Sequence, residues 1–518
     1  MAPPTTTAPS ASAGADDAVR RRYTDDRSFF GQPGGLSTLF FTEMWERFSY
    51  YGIRPLLVLY MTAALADGGF GFARSQASAI VGIYAASVYL ASLPGGWVAD
   101  RWLGLQRSVW YGGIFIALGH LSIGLSALLA HQAFFLGLVF IVIGTGLLKP
   151  NISAIVGDLY PEGGARRDAG FSIFYTGINS GAFIAPLITG LLGERVGWHW
   201  GFGAAGVGML LGVITFRSRA ARTLGPLGAT PTASLDEQQR VKRWALGGIA
   251  AVFAIVLLAM FGIITVDPVA VAERMSLIMA IMAALYFGYI FLLAGLTSDE
   301  KKRMAVILVL CLFSVVFWAA FEQAPTSLNL FARDFTDRTL FGWEVPTLWL
   351  QSANSLFVIT LAPVFGALWL VLEKRRLDIS SPAKFAFALA MAGLGFVVMV
   401  WASNIVIDGA GVVKVSMLWL TVSYLFQTFG ELALSPVGLS SMTKLAPRKF
   451  VGQMMGLWFL ATAMGNLIAG LVGGHVDPEN LQQMPQLFQR TAISLFAAAA
   501  ILAALVIPIR RMMDTTKK

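Results

Sequence analysis

The sequence predicts an all-α membrane protein with fourteen transmembrane helices. Three observations carry that prediction: an apolar composition, fourteen apolar segments of spanning length, and basic residues concentrated in alternate loops. Hydrophobic residues make up 56% of the chain and charged residues 13%, and mean hydropathy is +0.68. A soluble domain carries about 25% charged residues. A chain of 518 residues this apolar cannot hide its surface in its own core, so lipid must cover much of it. The 54 glycines fit the same environment, because small residues let membrane helices approach closely. A single cysteine, Cys311, rules out a disulfide within the chain.

The apolar segments lie near 36–65, 76–98, 107–130, 133–157, 168–193, 200–217, 243–265, 275–296, 303–331, 346–372, 383–403, 415–442, 450–474 and 490–509. Each is long enough for a spanning helix of about 20 residues, more or less with tilt. Residues 1–28, rich in Ala, Pro, Thr and Asp with Arg20–Arg22, are expected to be a disordered cytoplasmic tail. No short apolar run with a cleavage site follows those arginines, so a signal peptide is not expected.

The loop charges test the count. With a cytoplasmic N-terminus, 28 of the 38 Lys and Arg fall in cytoplasmic segments and 7 on the opposite side. That bias is the positive-inside pattern, which one missed or extra helix would scramble. Both termini are therefore expected in the cytoplasm. The net charge of +9 sits in short loop clusters rather than on one phosphate-binding face, so nucleic acid is not an expected partner.

Seven charges fall inside the apolar segments: Glu43, Glu46, Arg47, Arg54, Lys149, Glu322 and Glu431. Each costs about 2.5–3.5 kcal/mol at a helix centre unless paired or in a water-filled cavity. In the first segment Glu43, Glu46, Arg47, Tyr50, Tyr51 and Arg54 recur at i, i+3, i+4, i+7, i+8 and i+11, which places them on one helix face. Two readings follow, a substrate and proton pathway or an ion-pair network that fixes packing. A stripe this long exceeds what packing requires, which favours the first. Pro55, Pro150, Pro325 and Pro436 lie within five residues of Arg54, Lys149, Glu322 and Glu431. Prolines weaken the helix, and weakened helices beside polar groups mark transporter sites near the midplane. The four carboxylates outnumber the three bases, so one acid lacks a dedicated partner and is a candidate coupling group.

These residues carry a resemblance. Glu43-Met44-Trp45-Glu46-Arg47-Phe48-Ser49-Tyr50-Tyr51-Gly52 resembles the ExxERFxYYG signature of the proton-dependent oligopeptide transporter family. Phe174-Tyr175-Thr176-Gly177-Ile178-Asn179-Ser180-Gly181 is similar to its FYxxINxG signature. Gly430-Glu431 through Ser435-Pro436-Val437-Gly438-Leu439-Ser440 resembles its tenth core helix. Gly95-Gly96-Trp97-Val98-Ala99-Asp100-Arg101 through Gly104 and Arg107 resembles a loop motif of the wider major facilitator superfamily. The match runs from about residue 35 to 512.

The resemblance implies the major facilitator fold: a six-helix bundle at 36–220, a two-helix insertion at 243–296 outside the transport core, and a second six-helix bundle at 303–512. It implies a proton-coupled symporter that imports di- and tripeptides by alternating access in a bacterial inner membrane. A monomer is the expected working unit. Arg54 and Lys149 would hold the peptide carboxylate, and Glu431 its amino group. Tyr51, Asn179, Asn354 and Ser435 would hydrogen-bond the peptide. Tyr50, Tyr89, Tyr175, Trp318, Phe321 and Trp458 would line side-chain pockets, against the plainer reading that aromatics pack. Proton coupling would fall to Glu43, Glu46, Arg47 and Glu322. Glu322 would pair with Arg54, and Glu46 or Glu43 with Arg47 would answer to Lys149. Gly96, Asp100, Arg101 and Arg107 would form a gating loop, its glycines allowing a tight approach.

Mammalian members carry a histidine in the second helix, and residues 76–98 contain none. His120, His131, His199 and His475 are scattered and expected near membrane interfaces, so coupling would rest on carboxylates. No GxxxxGK[ST] loop, HExxH or nucleophile–base pair is visible, so no cofactor, metal or enzymatic activity is expected. The alternatives are a relative carrying another small anion or drug, such as nitrate, and a membrane enzyme or receptor.

Overall fold

The computed structural model describes residues 11–128, 131–375 and 379–514. The first element, α1 (Ala11–Thr24), corrects the expectation of disorder over that part of the tail; residues 1–10 lie outside the described residues. Alanines at 11, 13, 15 and 18 favour helix, and Arg21 and Arg22 in the last turn complement the negative end of its dipole.

Six long helices follow: α2 (Gly34–Thr62), α3 (Arg74–Val98), α4 (Leu105–Leu125), α5 (His131–Asp158), α6 (Gly164–Arg195) and α7 (Trp198–Thr223). They form one bundle in which α2 packs on α6 and α7, and α5 on α3 and α4. Then come α8 (Leu235–Met260) and α9 (Pro268–Leu292), and next α10 (Ser298–Phe321) with the short α11 (Asn329–Asp334). The chain ends with α12 (Ser352–Lys374), α13 (Ser381–Asp408), α14 (Leu418–Leu445), α15 (Val451–Val472) and α16 (Gln483–Asp514). In this second bundle α13 packs on α14 and α16, and α10 on α15 and α16.

Twelve helices among the described residues are long and apolar enough to cross a membrane. The two equally long helices outside that set are α2 and α14. They carry Glu43, Glu46, Arg47, Arg54 and Glu431, and polar residues that line a protein interior lower apolarity without shortening the helix. Together these make the fourteen expected from the sequence.

The insertion does more than trail beside the bundles. Helix α9 lies against both α3 and α15, with Ala272 and Met279 packed among Ala79, Ala86, Ala463 and Leu467. It therefore covers the seam between the bundles. Helix α8 stays largely exposed but meets the loop after α3, where Glu237 pairs with Arg101.

The hydrogen bonds and ion pairs that join the bundles gather in the half away from the chain termini and at the midplane. Asn329 Nδ2 donates to Pro55 O (2.7 Å), Arg333 to Thr62 Oγ1 (2.8 Å) and Arg74 to Asp334 (2.6 Å). The Glu194 carboxylate at the end of α6 accepts from the backbone N–H groups of Thr347 (2.9 Å) and Leu348 (3.2 Å). It thus caps the turn that leads into α12 from the opposite bundle.

One glycine shows how closely the helices approach. A Cβ on Gly95 would stand 1.9 Å from Gly146 O of α5, whereas one on Gly96 would find its nearest neighbour, Pro150 Cβ, at 4.0 Å. The tight position of the loop motif is therefore Gly95, not Gly96. Gly95→Ala is expected to lower stability in detergent by about 1–3 kcal/mol through overpacking. Gly96→Ala should stay within about 0.5 kcal/mol. Paired thermal melts check this, and equal melting of the two variants would refute it.

Candidate functional site

Helix α2 brings its polar stripe to the interior as its periodicity demands. Arg47 serves two carboxylates of its own helix, Glu43 (Nε to Oε1, 3.1 Å) and Glu46. All three are nearly fully buried. Two turns on, Arg54 pairs with Glu322 and donates to Asn466 Oδ1 of α15 at 2.8 Å. Glu322 is placed by the end of α10, where it is the capping residue. Pro325 follows in the wide turn Ala324–Leu328, closed by a bond from Leu328 N to Gln323 O. The segment expected as one run at 303–331 breaks here, whereas Pro55, Pro150 and Pro436 stay inside α2, α5 and α14, and the break aims the carboxylate at the opposite bundle.

Lys149 departs from expectation. Its ammonium lies over the Tyr89 ring, 4.1 Å from the centroid, and no carboxylate of a described residue is within 4.0 Å. Arg47 has already taken both Glu43 and Glu46, one of them four residues away on the same helix, so a second cation finds no free partner. The aromatic face supplies a cation–π contact in place of an ion pair.

Glu431, on α14, is the complementary case. It accepts a hydrogen bond from Asn354 Nδ2 (3.1 Å), which also donates to Thr428 Oγ1 (2.9 Å). No cation of a described residue lies within ion-pair distance. Both Lys149 and Glu431 are half-buried rather than sealed in the core. Five of the seven interior charges are thus engaged in ion pairs with one another, three carboxylates sharing two guanidinium groups. The remaining cation stands on the first bundle and the remaining anion on the second.

The other expected site residues divide. Tyr51 and Phe321 line a cavity of about 60 Å³ with Arg54, Glu322 and Asn354. Tyr175 is exposed. Asn179 is buried and turns its amide back to Tyr175 O of its own helix (3.0 Å). Ser435 Oγ is buried without a partner among the described residues. Tyr50 is buried, and the guanidinium groups of Arg47 (5.2 Å) and Arg54 (5.7 Å) both approach its ring. Trp318 packs edge-on against Phe317 and Phe321. Trp458 is buried beside Phe385, with its ring where a Gly438 Cβ would stand. For Tyr50 and Trp458 the packing reading describes this conformation better than an open pocket.

In the loop motif Arg101 pairs with Glu237 of α8, and the Asp100 carbonyl accepts from Thr232 N (2.8 Å) and Oγ1 (3.0 Å). Arg107 is exposed. The loop is thus fastened to the segment that leads into the insertion. His120 also departs from its expected place: it is buried, with Nε2 hydrogen-bonded to Ser49 Oγ of α2.

Sequence reasoning missed Asn466 and the lining residues Gln351, Tyr424 and Gln427. A signal existed on α14, since Tyr424, Gln427, Thr428 and Glu431 recur at i, i+3, i+4 and i+7. It went unread because three of the four are uncharged.

Two helical bundles joined through a buried ionic core, with one charge on each bundle left without an ion-pair partner among the described residues, define a membrane carrier of the major facilitator fold. The POT family profile matches residues 106–486, and the chain belongs to that family. It is 51% identical over 497 residues to the peptide transporter YePEPT of Yersinia enterocolitica, covering 95% of this chain and 97% of that one. It is 38% identical over 495 residues to a di-/tripeptide transporter of Lactococcus lactis, covering 93% and 95%. A crystal structure of a peptide transporter POT in complex with sulfate superimposes with a TM-score of 0.87 at 40% identity, covering 95% of this chain and 99% of the other.

Proposed function

We propose that this protein imports di- and tripeptides by symport with protons, through alternating access. The observation that carries this reading is the pair of unmatched charges, Lys149 on the first bundle and Glu431 on the second. A short peptide is a zwitterion with its charges several bonds apart. Its carboxylate suits Lys149, assisted by Arg54 when that guanidinium is released, and its ammonium suits Glu431. One ligand then bridges both bundles and makes different contacts as they rock, which is what couples binding to conformation. Peptide ligands named for relatives support the same substrate class. A carrier for nitrate needs only the positive wall, and Glu431 would repel that ion.

Glu322 is the proton acceptor in this reading. Its protonation releases Arg54 and loosens the junction between bundles. Glu43 and Glu46 with Arg47 form a second titratable cluster on the same helix. A gradient of about one pH unit contributes roughly 1.4 kcal/mol and a potential of about 100 mV roughly 2.3 kcal/mol. Their sum corresponds to several-hundred-fold accumulation of a neutral peptide. The protein works as a monomer in the bacterial inner membrane with both termini in the cytoplasm. The positive-inside bias supports that orientation, which makes the joined end of the bundles the extracellular one.

Uptake of a labelled dipeptide into proteoliposomes tests the proposal. Unlabelled di- and tripeptides are expected to compete, and tetrapeptides and nitrate to leave uptake unchanged. Competition by nitrate but not by dipeptides would move the protein to the alternative. Uptake indifferent to an imposed pH gradient would remove the proton from the mechanism.

A further inference from the structure

The cavity beside the Arg54–Glu322 pair is too small for a peptide. Its volume of about 60 Å³ is ample for ordered water, since one water needs about 10–15 Å³ of such space. Its walls come from α2, α6, α10 and the turn after it, α12 and α14, and they are polar where it matters. Gln427 lines it and is buried, with Nε2 donating to Ser423 Oγ (3.0 Å) and Oε1 making no hydrogen bond with a described residue. Turning the amide over would only exchange which of its atoms is unmet. Arg54 Nε is likewise unmet. The Tyr424 hydroxyl accepts from Gln351 Nε2 (3.1 Å), which leaves its own proton free to donate. Buried polar groups of this kind are ordinarily satisfied by ordered water.

We propose that this cavity is a water site that hands the coupling proton to Glu322, with Gln427 and Tyr424 holding the water in place. The inference rests on the reading of the protein as a proton-coupled peptide carrier. In the step, a hydrated proton in the cavity gives its proton to the Glu322 carboxylate and is left as neutral water. The carboxylate becomes a neutral acid and releases the guanidinium of Arg54. The reverse transfer restores the pair. The charged and titratable groups around Glu322 are Arg54, Tyr50 and Tyr51 of α2, Tyr89 of α3, Lys149 of α5, and Tyr424 and Glu431 of α14. Of these, Arg54, Tyr51 and Tyr424 share the cavity with it. Gln427 and Tyr424 are positioning residues, acting through the water.

Two variants in proteoliposomes test this: Gln427→Leu, which removes the amide, and Ser355→Leu, which fills cavity volume from α12 without removing a hydrogen bond of the pair. Dipeptide counterflow needs no net proton movement, and uphill accumulation under a pH gradient does. Both variants are expected to keep counterflow within about twofold of native and to lose accumulation by about tenfold or more. Retained counterflow certifies folding, and if one variant fails to fold, the other decides. Native-level accumulation by either folded variant overturns the proposal. So does parallel loss of counterflow and accumulation in both, which marks a purely structural cavity. Absence of dipeptide counterflow in the native protein would instead sink the peptide-carrier reading.

Discussion

Glu431→Gln is expected to weaken dipeptide binding on the order of 100-fold and to erase the protein's preference for a free amino terminus. The physical basis is the isolation of this carboxylate. Among the described residues only Asn354 hydrogen-bonds it and no cation neutralises it, so its full charge is available to a ligand ammonium and is lost in the amide. Removing one member of a hydrogen-bonded charge pair at an interface costs about 2–5 kcal/mol, and about 3 kcal/mol is on the order of 100-fold in Kd. Displacement of a labelled dipeptide by dipeptides with free, N-acetylated or C-amidated ends measures it. Native protein should reject the N-acetylated ligand strongly, whereas Glu431→Gln should bind free and acetylated forms within about threefold of each other. Lys149→Gln should mirror this for the C-amidated ligand. A variant that still discriminated by the full native margin would show that Glu431 does not hold the ammonium.

Glu322→Gln is the second large effect. The amide keeps the size and an acceptor oxygen for Arg54, but it can neither carry the negative charge nor take up a proton. Breaking a buried pair costs about 3–5 kcal/mol, which moves a two-state equilibrium by a factor between roughly 150 and 5,000. The variant is expected to bind dipeptide and to bring internal and external concentrations level, without uphill accumulation under a pH gradient and membrane potential. Native protein should concentrate the same peptide several-hundred-fold. Full accumulation by the variant would assign coupling to the Glu43, Glu46 and Arg47 cluster instead.

Much of this site was legible along the chain. The stripe on α2 followed from spacing alone, because a polar face repeated at helical period cannot be turned to lipid. Pro325 marked a weak point beside an interior carboxylate, but so did Pro55, Pro150 and Pro436 beside their charges, and only the structure shows that the helix ends at the first of these and runs on at the others. The neighbouring stripe on α14 obeys the same rule, yet Tyr424, Gln427 and Thr428 are uncharged and do not announce themselves against the cost of burial. Gly95 and Gly96 are indistinguishable as residues, and only the approach of Gly146 separates them.

Spanning segments, their number and the depth of each charge were determined by the sequence itself, because apolarity and helical period are local and the penalty for a charge in lipid applies wherever it stands. Pairing is not local. Arg54 meets Glu322 across 268 positions, and seven charges permit several pairings with similar electrostatics. Packing chose among them by giving Arg47 both carboxylates of its own helix and by laying Lys149 on Tyr89. That choice left Lys149 on the first bundle and Glu431 on the second without ion-pair partners among the described residues.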